Sequence, residues 1–508
     1  MMRILHFTLT FFLVTHALNA QYSPRKSYMK AYSPQSGVLA SNHRPVKKNN
    51  IQFVKTTITS DTLFNIYGDL LNDSPEFNPK YVWWKPALEV TGNNVFTFAV
   101  DRYVAKFDYS TSVSRATWQY NIDHGWEWDR DGFGINFIGH PYSGSVSFNA
   151  ARSSGYNYWQ SFPYALGGSL MWEYFGENTL PSYNDLINTP INGAFLGEVL
   201  YRLSSNILDD RTRGSERVLR EVAAGILNPM RGVNRLIQGK SFRVTKQEVY
   251  QKEPVNVSAY AGIRQVNSTA GVGPGSSNLN LNVQLDYGNA FEKVNRKPFD
   301  FFKLRTDLNF GVPKLLNSLT GYAILSGRNY ESGKNAMLVG TFQFYDYMNN
   351  NTFELGTIGF GAGIISKQEF NDKTNLYSCI QFAAVPFGGN STERGPIDAK
   401  VRDYNYGGGL QGRFESRILL WDRLSLAFRA NYYWISTYVG AGGNSFTGLL
   451  QPKVTLRVYK NLNLGFEHQI YINDRYSERY HHNHLSRTEE KFFILLYFEN
   501  SKRKGHYC

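Results

Sequence analysis

From Asn278 to Gly288 the chain reads NLNLNVQLDYG, in which Leu279, Leu281, Val283, Leu285 and Tyr287 alternate with Asn280, Asn282, Gln284 and Asp286. A period of two places the apolar set on one face and the polar set on the other, which is the signature of a β-strand. The pattern recurs. Phe302, Leu304, Thr306, Leu308 and Phe310 alternate with Lys303, Arg305, Asp307 and Asn309, and the runs Leu424 to Trp434 and Leu462 to Ile470 repeat it. Between Val255 and Phe498 this reading predicts about twelve strands of barrel length, separated by turns such as MNNNT and GGNSTERGP. A soluble sandwich uses such strands singly. Many long, aromatic-rich ones in succession predict a transmembrane antiparallel β-barrel over residues 250–500. Its last strand, FFILLYF, is apolar on both faces, a form that barrel assembly machinery reads, although a basic tail, SKRKGHYC at 501–508, follows it.

Upstream the period changes. Phe195, Leu196, Val199, Leu200, Leu203 and Ile207 follow helical spacing, as do Val218, Leu219, Val222, Ala223, Ile226 and Leu227. Ser182 with Asp185 resembles a capping box, and Thr189-Pro190 offers a cap followed by proline at a first helical position. Trp159 to Tyr174 is a further helix, with Pro163 near its start and Gly167-Gly168 inside it. VFTFAVDRYVAKFDY has an ambiguous period. Residues 81–240 are expected to form a mainly helical domain, with part of residues 80–130 left open to β by its period. Before it, residues 21–80 are polar, basic and scattered with proline, which fits a mobile periplasmic segment. Residues 1–20 have the layout of a secretory signal peptide: Met1 to Arg3, an apolar run from Ile4 to Ala17, and Leu18-Asn19-Ala20 as the cleavage site. That apolar run is short for a membrane span, and Gln21 gives no lipoprotein cysteine. The expected fold class is an α+β membrane protein, an N-terminal helical domain followed by the barrel.

The 508 residues leave room for both parts. A mean hydropathy of -0.39 looks soluble, but a barrel evades that test because half of each strand faces a polar lumen. The 34 Tyr and 35 Phe suit interfacial girdles. Cys379 and Cys508 are too few for a disulfide framework. A net charge of +13 suits anionic lipid headgroups, including lipopolysaccharide. An exported chain without a basic patch of the needed kind does not point to nucleic acid.

The densest unusual residues lie in the helical region: GWEWDRDGFGINFIGHPYSG from Gly125 to Gly144, SFNAARSSGYNYWQS, GSLMWEYFGE from Gly168 to Glu177, and SYNDLINTPINGAFLGEVLYRLS from Ser182 to Ser204. In this order they resemble the domain of unknown function 3943, over roughly residues 80–240. The resemblance implies an exported protein of a Gram-negative bacterium and brings no activity with it; it alone implies helix in the part of residues 80–130 whose period is ambiguous. A second, shorter likeness, to VanZ-like membrane proteins, would pick out His140, Glu173, Asp185, Gly193 and Gly197.

Read physically, Glu173 lies among Leu170, Met171, Trp172 and Phe175, where desolvation raises a carboxyl pKa. His140, Glu173, Asp185, Glu198 and Arg202 are the candidate acid/base cluster for cleaving an ester or phosphodiester, with Glu198 and Arg202 one helical turn apart. The same groups also suit ion pairs that hold helices together near a membrane. No cofactor is expected. No metal site is expected either, because His140 has no second His at ligand spacing. HHNH at His481, His482 and His484 reads as a solvated loop between the last two strands, and Gly-rich pieces such as TAGVGPGSSN as turns.

These features point to an outer-membrane protein with a helical domain at the periplasmic mouth, plugging the lumen or facing lipid. Its expected role is a scaffold or conduit for lipid or envelope material. The alternative is an envelope hydrolase of lipid or glycan working through the His/Glu/Asp cluster. Oligomeric state is not legible.

Overall fold

The computed structural model describes residues 82–246, 248–267, 271, 275–293, 295–312, 314–350, 352–391, 404–477 and 481–499. The expected signal peptide, the segment 21–80 and the basic tail lie outside the described residues.

Twelve long strands follow the alternating runs: β1 (Val255–Asn267), β2 (Gly275–Tyr287), β3 (Phe302–Phe310), β4 (Leu316–Ser332), β5 (Asn335–Asn349), β6 (Glu354–Asn371), β7 (Thr374–Ser391), β8 (Tyr404–Leu420), β9 (Leu424–Val439), β10 (Gly443–Tyr459), β11 (Leu462–Ser477) and β12 (His481–Glu499). Each pairs antiparallel with the next, and β12 returns to β1 with Val257 opposite Phe498 and Arg264 opposite Lys491. The sheet is thus a closed barrel, with a two-residue ladder at Asn295–Arg296 added beside β4. At one end the β4/β5, β6/β7, β8/β9 and β10/β11 connections are two or three residues long, and Gly333, Trp421, Asp422 and Lys460 supply the positive φ that tight hairpins need. A fifth connection at this end, between β2 and β3, is longer and spans residues 288–301, and connections at the other end run from three to twelve residues.

Side-chain parity sorts the two faces. Arg305 on β3 reaches Glu415 on β8 at 2.7 and 2.8 Å, Arg413 on β8 pairs with Asp346 on β5, and Lys491 on β12 meets Asp307 on β3 at 2.5 Å. None of these strands are neighbours, so the pairs cross the lumen. Of the other lumenal charges, Lys303 pairs with Asp286 at 3.4 Å, while Arg429 bonds Gln451. A cavity of about 210 Å³ remains on the short-turn side of the ion pairs, and one of about 20 Å³ lies among them. Cys379 is buried beside Tyr322. The opposite parity is apolar and bare: Phe382 is 70% exposed, and Leu410, Leu464 and Phe492 are exposed with it. A polar inside and an apolar outside invert a soluble protein, and lipid is the solvent that suits such a wall.

The helical domain contains α1 (Trp84–Ala99), α2 (Asp108–Thr111), α3 (Arg115–His124), α4 (His140–Ser153), α5 (Tyr158–Phe175), α6 (Tyr183–Ile207), α7 (Gly214–Leu227) and α8 (Pro229–Ile237). The ambiguous VFTFAVDRYVAKFDY run is helical, ending α1 and passing into a π-turn at Val100–Ala105. Capping boxes at Ser114 and Asn157 start α3 and α5, and Ser182 caps α6 by accepting the Asp185 N–H. The Thr189-Pro190 start is overturned: Pro190 sits inside α6. An interior proline removes one hydrogen bond, at a cost of about 3 kcal/mol. Here that cost is offset by packing, since α6 is buried along nearly its whole length. At its crossing with α4 the backbones touch so closely that a Cβ on Gly144 would strike the Thr189 carbonyl.

The bundle does not plug the lumen and does not hang apart from a mouth. It lies along the outer wall. Phe195 of α6 stacks on Tyr345 at 5.7 Å and meets Phe299 edge-on at 5.3 Å. Tyr158 donates to Gln343 at 2.7 Å, Gln343 donates to the Ile191 carbonyl at 3.1 Å, and Tyr345 donates to the Phe137 carbonyl at 2.5 Å. Gln343 and Tyr345 alternate on β5 with Asp346, whose side chain enters the lumen, so these contacts are made from outside. Wall residues under the bundle, such as Leu319, Ala323 and Ile358, are fully covered, whereas Phe382 is bare. Glycines dent the wall to seat Phe137, whose ring would collide with a Cβ at Gly356 or Gly389. The physical reason is supply and demand for apolar surface: the lumen is filled by its own polar side chains, and the matching apolar face is the outer one.

Candidate functional site

The predicted constellation separates into two groups. Asp185 and Glu198 stand thirteen residues apart on α6, which is about 20 Å along a helix. Glu198 is fully buried and accepts from Arg152 at 2.8 and 3.2 Å and from Arg202 at 2.8 Å. Arg202 continues to the Pro298 carbonyl at 2.7 Å and to Asp300 at 3.4 Å, in the connection between β2 and β3. Arg152 also lies over the Tyr201 ring at 4.0 Å. This group ties α4, α6 and the barrel rim together by paired charges, the arrangement expected of a structural ion-pair network.

His140, Glu173 and Asp185 do converge, level with the end of the wall opposite the tight hairpins. His140 opens α4, and its Nε2 lies 3.3 Å from Asp131 and 3.6 Å from Asp185. Asp185 is held by the cap of α6. Glu173, in the last turn of α5, accepts the Ser182 N–H at 2.7 Å and so fixes the start of α6. Beside it Glu177 accepts from the Trp172 indole at 2.7 Å.

Residues not singled out from the sequence complete the site. Asp129, on the irregular segment after Trp128, accepts from Asn136 at 3.1 Å and from Tyr406 at 3.3 Å, and its N–H donates to Asn184 at 3.1 Å. Asn184 donates to Asp185 at 3.1 Å and to Asn136 at 3.1 Å. Asn136 donates to Tyr404 and Tyr406, and Tyr404 donates to the Asp131 carbonyl at 2.8 Å. The two tyrosines come from β8, so the barrel wall is part of the site. The WEWD element in the sequence carried Asp129, but its alignment with His140 needs the fold. Asp129, His140 and Asp185 offer ligand atoms that all lie within 4.8 Å of one another.

Electrostatics follow from this crowding. Burial opposes a charge on His140, but the carboxyls of Asp185, Asp131 and Asp129 overcome it and hold the imidazole well above its ordinary range. Burial pushes Asp185 well up, with Asp129 and Glu173 adding repulsion and His140 opposing it. Glu173 is raised by burial and then by Glu177. Asp129 goes the other way: burial would raise it, but hydrogen bonds from Asp185 and Asn184 and the charge of His140 bring it down. Two carboxyls pushed in opposite directions beside an imidazole are suited to exchanging a proton. His482 and His484 lie on β12, in the strand rather than a loop, and both meet Asp474, at 3.1 and 2.7 Å.

Residues 125–230 match the family described as Domain of unknown function (DUF3943); the VanZ-like resemblance gains no support. A comparison with curated proteins finds no match. Among solved structures the chain is similar to the NanC porin (8% identity, TM-score 0.26, 47% of this chain and 98% of that one). It is also similar to the outer membrane channel DcaP of Acinetobacter baumannii (6%, 0.20, 48% and 96%) and to OmpT, an outer membrane protein of Vibrio cholerae (6%, 0.20, 48% and 96%). The site residues Asp129, His140, Glu173 and Asp185 all fall inside the matched segment. The segment that matches this family, residues 125–230, lies with its flanking helices on the outer wall of a twelve-stranded β-barrel.

Proposed function

We propose that this is an outer-membrane protein of a Gram-negative envelope in which the barrel is the anchor and the wall-mounted bundle handles lipid or envelope material in the membrane plane. The observation that carries the reading is the seat of α6 on the lipid-side wall. The bundle also turns a broad apolar surface outward: Trp84, Leu88, Val95 and Phe96 of α1 and Trp159 of α5 are exposed, more than a water-facing domain normally carries. No helix among the described residues is long and apolar enough to cross a membrane, so the wall supplies the anchorage. Ion pairs crossing the lumen argue against a passive conduit. In outer-membrane barrels the short turns face the periplasm; in that orientation the His140 cluster stands at the outer leaflet, among lipopolysaccharide, rather than in the periplasm. Barrel assembly machinery would insert the chain.

A second reading, hydrolysis of a lipid or glycan, is favoured by the approach of Asp131 and Asp185 to the His140 imidazole. A photoreactive amino acid at Leu88 or Phe96 in living cells tests the first reading. Crosslinks to lipid or lipopolysaccharide are expected, and labelling of cysteines at those positions by a water-soluble maleimide, without lipid crosslinks, would refute it. Lipid profiling of a deletion strain complemented with wild type or Glu173→Gln tests the second. Restoration by wild type alone supports chemistry at the cluster, and equal restoration removes Glu173 as a required acid or base.

A further inference from the structure

We infer that Asp129, His140 and Asp185 form a binding site for a divalent cation of the zinc or manganese class, seated where the helical bundle meets strand β8.

The ligand chemistry comes first. One imidazole with two carboxylates suits zinc, manganese or ferrous iron, and the nitrogen donor disfavours calcium. Spacing comes second. Ligands held about 2.0–2.2 Å from a tetrahedral ion stand roughly 3.3–3.6 Å from one another. The His140 Nε2 lies 3.6 Å from the Asp185 carboxylate and 3.3 Å from Asp131, which is placed to serve as a further ligand. The outer shell comes third. Metal carboxylates are normally oriented by hydrogen bonds from a second layer. Here Asn136 and Tyr406 hold Asp129 and Asn184 holds Asp185, through four elements that converge from different parts of the chain. A surface salt bridge needs no such scaffold. Last, access: the Asp131 side chain is 48% exposed while that of Asp185 is 4% exposed, so the cluster grades from a solvent-facing carboxylate to a buried one. A cation held by Asp129, His140 and Asp185 alone would keep an open position toward Asp131, where either that carboxylate or a phosphate or ester oxygen can bind.

The inference does not depend on the proposed function, because metal binding can be measured without a substrate. Full-length protein in detergent is stripped with chelator, dialysed against Zn²⁺, and its retained metal counted; Co²⁺ replaces Zn²⁺ to read coordination from its visible spectrum. The expected result is one equivalent retained by wild type and by the double variant His482→Ala/His484→Ala, which removes the other histidine cluster. His140→Ala and Asp185→Asn should bind roughly ten-fold or more weakly. Asp185 lies in the capped first turn of α6, so a second measurement uses wild type alone: Zn²⁺ should protect His140 from diethylpyrocarbonate while leaving His124 reactive. Retention of no metal by wild type, or loss of metal only in the His482/His484 variant, overturns the inference. So does unchanged modification of His140, which would leave an imidazolium paired with carboxylates.

Discussion

Replacing Phe195 by Ala isolates the contact that holds the bundle to the wall. The ring is fully buried between Tyr345, Phe299 and the glycine dent at Gly321, whose Cβ would come within 3.2 Å of it. A buried Phe→Ala change costs about 3–5 kcal/mol when the site cannot collapse. Here one side is a β-wall braced by closed pairing, so collapse is limited. Lipid rather than water outside the bundle removes part of the transfer term and places the expectation at the lower end, about 3 kcal/mol. That corresponds to a shift of roughly 10²-fold in the docked population of α6. Amide hydrogen exchange in detergent should show protection across α6 falling by that factor, while β8 to β11, which carry no bundle contacts through Phe195, keep theirs. Retention of barrel-type gel mobility would confirm that the barrel is intact. Unchanged α6 protection would refute the wall-docked geometry, and a uniform loss in every strand would show that bundle and barrel unfold as one unit.

Glu198→Gln should destabilise the bundle by about 3–5 kcal/mol, because it leaves Arg152 and Arg202 buried without their shared counter-charge; limited proteolysis within residues 84–240 reads the change. Burial opposes the charge on Asp209, but the Arg211 side chain brings its pKa down to about 2 from 3.8. The lowered folded value means its stabilisation is present above about pH 4 and is lost as pH falls toward 2. Arg211 is 47% exposed, so solvent screening limits the effect to about 1 kcal/mol. Asp209→Asn should therefore loosen the turn between α6 and α7 at pH 7 and make no difference near pH 2, as followed by exchange at the start of α7. Finally, wild type should show little single-channel conductance in planar bilayers, and removing the lumenal pairs in Arg305→Ala/Glu415→Ala should raise it. Equal conductance in both would show that the pairs do not obstruct the lumen.

The barrel was legible along the chain. Period-two alternation such as Leu304/Arg305 and Leu285/Gln284 is a local property, imposed because each strand has one lumenal and one lipid-facing side, so strand number and span were readable without the fold. The helices within residues 159–227 were readable for the same reason, since Ser182 and the 3.6-residue spacing from Phe195 to Ile207 act within a turn or two, whereas the ambiguous run VFTFAVDRYVAKFDY was not. Thr189-Pro190 misled because a local start signal was overruled by burial of α6 along its length, which runs through Pro190. Where the bundle sits was set by long-range packing. An apolar helix face pairs equally well with a lumen plug, a membrane surface or a wall, and the choice was made by glycine dents at Gly356 and Gly389 and by Gln343 and Tyr345 on the outward parity of β5. The site divided in the same way. Glu198 and Asp185 share a helix, yet its rise carries them about 20 Å apart, while Asp129, distant in sequence from Asp185, is brought beside it by hydrogen bonds through Asn136, Asn184 and Tyr406. Local periodicity is written along the chain, but which polar side chains meet depends on how separate elements are clamped together.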